Sequence, residues 1–215
     1  MNVLRGNTLD QSHGAPRVPW LTIGLSIGMI LLFQLKDQFF QTLYFSQEAT
    51  MKGEVWRILT GHFIHCSLEH LFWDLLAFLI LGSVLEYHCR KDFYYSLALS
   101  CLGVSGWLLC ASNHVPSYCG LSGALNGMLV VAAMTLFRQT GNKRFVLVIF
   151  ATMGKIIFEF FTHQTMFTNL SLQSVPSAHA AGLFMGVLYE TGKYIKNVVC
   201  IHRTKMVKTY SSIQH

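Results

Sequence analysis

Apolar positions in this chain gather in long blocks rather than in a short period. The blocks run over about 18–35, 63–85, 93–112, 121–137, 145–161 and 177–195. A membrane-crossing helix needs roughly 17–25 mostly apolar residues, so each block predicts one span. The pattern therefore predicts an all-α membrane protein, a bundle of six transmembrane helices over 18–195, with a polar leader at 1–17 and a basic tail at 196–215. The first block closes at Lys36 and Asp37 with no small-x-small cleavage signal, which reads as a retained helix and not as a removed signal peptide.

Composition strengthens that reading. Hydrophobic residues make up 52% and charged residues only 12% of the 215 positions, against about 25% charged in soluble domains. A disordered chain, a collagen and a water-exposed globule are excluded. The net charge of +6 becomes informative once the basic residues are sorted by connection. With the leader inside, Arg5, Arg17, Arg90, Lys91, Arg138, Lys143, Arg144, Lys193, Lys196, Arg203, Lys205 and Lys208 fall on one side. Lys36, Lys52 and Arg57 fall on the other, and Lys155 lies within a span. By the positive-inside rule both termini are expected in the cytoplasm, so the basic excess marks topology and not a nucleic-acid partner. The connections 37–60, 113–120 and 162–176 then lie outside.

Polar residues within a bilayer are costly, so each calls for a partner or a function. Three clusters map to the outer ends of their predicted helices: His62, His65, His70 and Asp74 at the second span, Gly120-Leu121-Ser122-Gly123 at the fourth, and Ala178-His179 at the sixth. Ser122 opens a helix between glycines, where free N–H groups would suit an oxyanion. Gly123 and Gly127, like Gly182 and Gly186, stand four apart, and such small-residue faces let two spans approach closely. That seam would bring His179 to Ser122 as a general base to a nucleophile. Asn126 lies four residues after Ser122 on the same face and is a candidate to orient the base; it also suits an interhelical tether. His70 and Asp74 are likewise four apart, His70 as a donor to the oxyanion and Asp74 fixing its tautomer. His62 and His65, on the outer approach, read as surface or structural. Lys155 and Glu159 read as an internal i, i+4 ion pair. Six cysteines show no CxxC spacing, so no metal or cofactor is expected. Cys66 and Cys119 both fall near the outer face, and their spacing does not decide whether they pair.

In this order the motifs Glu54-Val55-Trp56-Arg57, His65-x4-His70-x3-Asp74, Gly120-Leu121-Ser122-Gly123 and Ala178-His179-x2-Gly182-x3-Gly186 resemble the rhomboid family of intramembrane serine proteases. The resemblance covers nearly the whole chain. The runs Leu59-Thr60-Gly61-His62-Phe63 and Val175-Pro176-Ser177-Ala178-His179 resemble the rhombosortase subfamily in particular. It implies Ser122 as nucleophile and His179 as general base, with His70 and position 74 helping the Ser122 N–H to bind the oxyanion. Trp56 and Arg57 would sit in a lateral loop partly within the membrane. Two positions depart from the family pattern: Asp74 stands where an asparagine donor is usual, and Asn126 where many members carry a tyrosine against the base. The implied substrates are exported bacterial proteins with a C-terminal tail of glycine-rich motif, transmembrane helix and basic end. The implied location is the bacterial inner membrane with the active site toward the periplasm. A rhomboid-like protein without protease activity that binds transmembrane helices is the competing expectation, with Asp74 in its favour. A haem or metal protein built on His62, His65, His70 and His179 is a third, disfavoured because these histidines gather at one end of the bundle.

Overall fold

The computed structural model describes residues 18–110, 117–162 and 175–213. The predicted leader 1–17, the first half of the predicted connection 113–120 and most of the connection 162–176 lie outside the described residues. The chain folds as α1 (Trp20–Gln34), α2 (Lys36–Leu43), β1 (Phe45–Ser46), α3 (Gln47–Met51), α4 (Arg57–Thr60), α5 (Leu68–His88), α6 (Arg90–Cys110), β2 (Ser117–Tyr118), α7 (Ser122–Thr140), α8 (Arg144–Thr162) and α9 (Pro176–Ile213). It is an all-α membrane bundle, and among the described residues the long helices α1, α5, α6, α7, α8 and α9 follow the six apolar blocks.

Among the described residues, α5, α6 and α8 are long and apolar enough to cross a membrane alone, and α1 with α2, bent by 106°, makes a fourth candidate. α7 is less apolar because of where it sits. It packs on α5, α6, α8 and α9, so its side chains serve helix contacts and not lipid, and small residues fit those contacts better than bulky ones. α8 is its opposite, presenting Leu147, Phe150, Phe160 and Phe161 outward, the last 84% exposed. In water such a face would be a liability; in a bilayer it is the lipid-facing surface.

The glycine seam forms as expected. A Cβ on Gly182 would stand 1.8 Å from the Gly123 carbonyl oxygen, and one on Gly186 would stand 2.5 Å from that of Gly127. α7 and α9 thus touch backbone to backbone, which only glycine permits. Gly182→Ala is therefore expected to cost about 1–3 kcal/mol of stability, as overpacking does, and to open the space between Ser122 and His179. Thermal or denaturant unfolding in detergent checks this, and an unchanged midpoint would contradict the close approach.

Buried charges tie the bundle together. Glu86 of α5 accepts from the Leu21 N–H at 3.1 Å, the Thr22 N–H at 2.9 Å and the Thr22 hydroxyl at 3.0 Å, capping α1 where its donors have no intrahelical partner. Asp92 receives the Tyr189 hydroxyl and the Lys193 ammonium, and Arg138 pairs with Glu190. These links join α6, α7 and α9 at the end of the bundle that holds Arg90, Lys91, Lys143 and Arg144. Among the described residues, Arg90, Lys91, Arg138, Lys143, Arg144 and Lys193 thus gather at one end. α9 runs on to Ile213, so residues 196–213 of the predicted tail continue the sixth helix; no glycine or proline follows Gly192 to stop it.

At the opposite end the long first connection folds over the start of α7. Phe45 pairs with Tyr118 and Ser46 with Ser117 as a two-residue antiparallel ladder, and the Gly120 N–H donates to the Gly61 carbonyl at 3.0 Å. The apolar pattern announced no strand, since two residues carry no alternation. Arg57 is buried; it donates to the Tyr44 and Gln41 carbonyls at 2.7 and 2.9 Å and to Glu54 at 2.7 Å. Met51, Val55, Trp56 and Leu59 around it stay exposed, a surface suited to the membrane edge expected of this loop.

Candidate active site

Ser122 is the first residue of α7 and His179 lies in the first turn of α9, which Pro176 starts. The two helices run parallel with their N-termini at the same end, and the glycine seam fixes their spacing. Ser122 Oγ stands 3.0 Å from His179 Nε2. The other ring nitrogen, Nδ1, meets Glu159 Oε2 at 2.8 Å, and Glu159 Oε1 meets Lys155 Nζ at 2.8 Å. Against a carboxylate Nδ1 carries the proton, so Nε2 presents its lone pair to the serine hydroxyl. Lys155, Glu159, His179 and Ser122 thus form one line of polar groups. Glu159 is 1% exposed and His179 7%, so the line is nearly dry where the base is held and reaches solvent at the serine.

The sequence separated what this line joins. Lys155 and Glu159 form the predicted ion pair, but Glu159 has a second partner, His179, twenty residues away on another helix. A carboxylate within a span was the one available signal. Asn126 is placed elsewhere than expected: its amide donates to the Ser122 carbonyl at 2.7 Å. Both ring nitrogens of His179 are taken by Ser122 and Glu159, so Asn126 braces the first turn of α7 and does not hold the base.

The first-turn N–H groups of α7 are not open. Asp74 Oδ2 accepts from Leu121 N–H at 2.7 Å and from Ser122 N–H at 3.1 Å, and the Tyr118 hydroxyl accepts from Gly123 N–H at 3.1 Å. A carboxylate at a helix N-terminus is well placed electrostatically. Burial pushes the Tyr118 phenol up, so it remains a neutral hydroxyl. Asp74 is approached more closely by His65 Nε2, at 3.0 Å, than by His70 Nε2, at 3.5 Å. His65 and His62, read from sequence as lying on the outer approach, are both buried. His62 Nε2 contacts the Ser105 hydroxyl at 2.9 Å, and burial lowers its pKa to about 4. These two rings brace the site. Gly120 has φ +104°, and a Cβ there would stand 2.3 Å from His70 Cε1. Only glycine lets this backbone lie against the His70 ring.

The arrangement defines a class: a multi-pass membrane protein with a serine, an imidazole and a carboxylate aligned at one end of a helix bundle. The family model for the Rhomboid domain matches residues 52–194, and the chain belongs to the rhomboid family. It is similar to the rhomboid protease GlpG of Serratia proteamaculans (strain 568), with 27% identity over 174 residues, 78% of this chain and 60% of that protein. The chain thus spans less than two thirds of that relative's length.

Proposed function

We propose that the protein is an intramembrane serine endopeptidase. The observation that carries this reading is the contact of Ser122 Oγ with His179 Nε2 at 3.0 Å, with Glu159 on the far nitrogen of the same ring. Ser122 attacks a peptide carbonyl while His179 Nε2 takes its proton. The resulting imidazolium is held by Glu159 and then protonates the leaving amine. Water entering from the exposed end of the site hydrolyses the acyl-enzyme, with His179 again as base. A substrate helix must unwind locally to offer its carbonyl, which favours glycine near the scissile bond. Together with the Leu59–Phe63 and Val175–His179 runs, this supports substrates with a glycine-rich, helical and basic C-terminal tail, cleaved on the periplasmic side of a bacterial inner membrane. The test is co-expression with such a tailed protein, scored by loss of the tail. A tail left intact by the active chain would remove the substrate assignment.

In this reading His70 Nε2–H and the Ser122 N–H are the donors to the oxyanion; both border Asp74 Oδ2, at 3.5 and 3.1 Å. The longer of the two bonds to Asp74, that from Ser122, is the one exchanged for the oxyanion, while Leu121 keeps Asp74 in place. A carboxylate beside a developing negative charge opposes it, whereas an amide would accept from Leu121 and also offer a donor. Asp74→Asn is therefore expected to retain or raise turnover in the tail-cleavage assay. Complete loss of cleavage would show that the carboxylate itself is required.

A further inference from the structure

Cys66, His70 and Cys119 lie outside the Ser122–His179–Glu159 line, yet the fold brings their donor atoms together. Cys66 precedes α5, His70 is in its first turn, and Cys119 lies in the turn between β2 and α7. The two sulfurs and a ring nitrogen of His70 all lie within 4.8 Å of one another, and His70 Nδ1 is 3.7 Å from Cys66 Sγ. A tetrahedral zinc ion with metal–sulfur bonds of about 2.3 Å and metal–nitrogen bonds of about 2.0 Å separates its donors by about 3.5–3.8 Å. The Cys66–His70 pair already has that separation, and the Cys119 sulfur lies within 4.8 Å of both, so an ion would need to draw it in by no more than about 1 Å. The other nitrogen of His70 faces Asp74 Oδ2 at 3.5 Å, the carboxylate–histidine pairing that commonly backs a metal-bound imidazole. Cys66 is half-buried and Cys119 buried, so an ion has a route in and a mostly enclosed seat.

We propose that Cys66 Sγ, Cys119 Sγ and His70 Nδ1 form a three-ligand site for a thiolate-preferring divalent cation of the zinc class, with the fourth position open to water. A nearby alternative donor set, His65, His70 and Asp74, is less suited. The Asp74 oxygen it would use already accepts from Leu121 and Ser122, and two imidazoles with one carboxylate lack the soft sulfur donors. Metal on His70 Nδ1 leaves the proton on Nε2, the side that faces Asp74 and the start of α7. Binding requires loss of both thiol protons, which are released as the ion enters. This proposal stands on the donor geometry and holds whether or not the chain is a protease.

The experiment uses the full chain in detergent, reduced, stripped with a chelator and titrated with Co2+ as a probe for Zn2+. One equivalent is expected to bind with a thiolate-to-cobalt charge-transfer band and tetrahedral visible bands, and Zn2+ is expected to displace it. Cys66→Ser and Cys119→Ser should each weaken Co2+ binding by about 100-fold or more, and Asp74→Asn by about 10-fold, as loss of a supporting carboxylate does. Cys101→Ser, at a thiol outside the cluster, should bind like the parent. Absence of the charge-transfer band, or unchanged binding by Cys66→Ser, overturns the site. So does a Cys66–Cys119 disulfide that persists under mild reductant in the presence of Zn2+. Cys66 lies outside the helices, so its serine variant keeps the test decisive even if Cys119→Ser fails to fold; gel filtration and melting confirm that it does.

Discussion

Ser122→Ala and His179→Ala are each expected to reduce tail cleavage by roughly 10^4–10^6-fold, and the double variant is expected to be no worse than either single one. The reason lies in the geometry. With 3.0 Å between Ser122 Oγ and His179 Nε2, the hydroxyl has its base in place and the base has its proton source, so removal of one leaves the other without a task. Ser122 is half-buried at a helix start, and the α7–α9 contact is made by glycine backbone. Ser122→Ala should therefore keep the parent's melting behaviour, whereas His179→Ala strands the buried Glu159 carboxylate and should melt lower, so its turnover is scored on the folded fraction. Single-turnover rates in detergent or liposomes give the measurement. Cleavage within about tenfold of the parent in either variant would remove the assignment.

Glu159→Ala is expected to lower turnover by about 10^2–10^4-fold with little change in KM. In the triad logic the carboxylate sets the tautomer of the base and stabilises the imidazolium that forms. Here Glu159 Oε2 is 2.8 Å from His179 Nδ1, in surroundings dry enough for the interaction to be strong. Glu159→Gln should recover part of the loss, because its amide oxygen still accepts from Nδ1–H without the charge. Lys155→Ala should fall between the parent and Glu159→Ala, since Lys155 contacts only the far oxygen of the carboxylate. A purely structural ion pair between Lys155 and Glu159 makes a different prediction: both variants would lower the melting point equally and leave the turnover of the folded fraction intact.

Much of the site was legible because its residues sit at motif positions in order. Ser122 between its glycines, His179 after Ala178 and the Gly182–Gly186 spacing each pointed to their place, and the seam carries the contact they implied. Glu159 was legible only as half of an ion pair. Its i, i+4 partner is visible in one helix, whereas its contact with His179 depends on how α8 lies against α9. Asn126 shows the converse: sharing a helical face with Ser122 was read correctly, but its amide reaches the Ser122 carbonyl and Glu159 already occupies the ring nitrogen. The histidines at 62 and 65 fall on the outer approach to the second span and read as surface or structural, since nothing in their spacing shows what covers them. They are buried because the connection over 37–60 folds down on them and pairs with the strand before Ser122.

By itself the sequence determined the class of environment, the order of the long helices and the end of the bundle where polar chemistry collects. Those follow from local quantities: apolar length against membrane thickness, the side on which basic residues fall, and glycines four apart. Tertiary structure alone decided which polar groups share a hydrogen bond. It gave Glu159 to His179, handed the first N–H groups of α7 to Asp74, and drew Cys66, His70 and Cys119 into one cluster. A helical spacing fixes neighbours within a helix to a few ångströms. Contacts between helices depend on rotation and depth, which here are set by backbone touching backbone at Gly123, Gly127, Gly182 and Gly186.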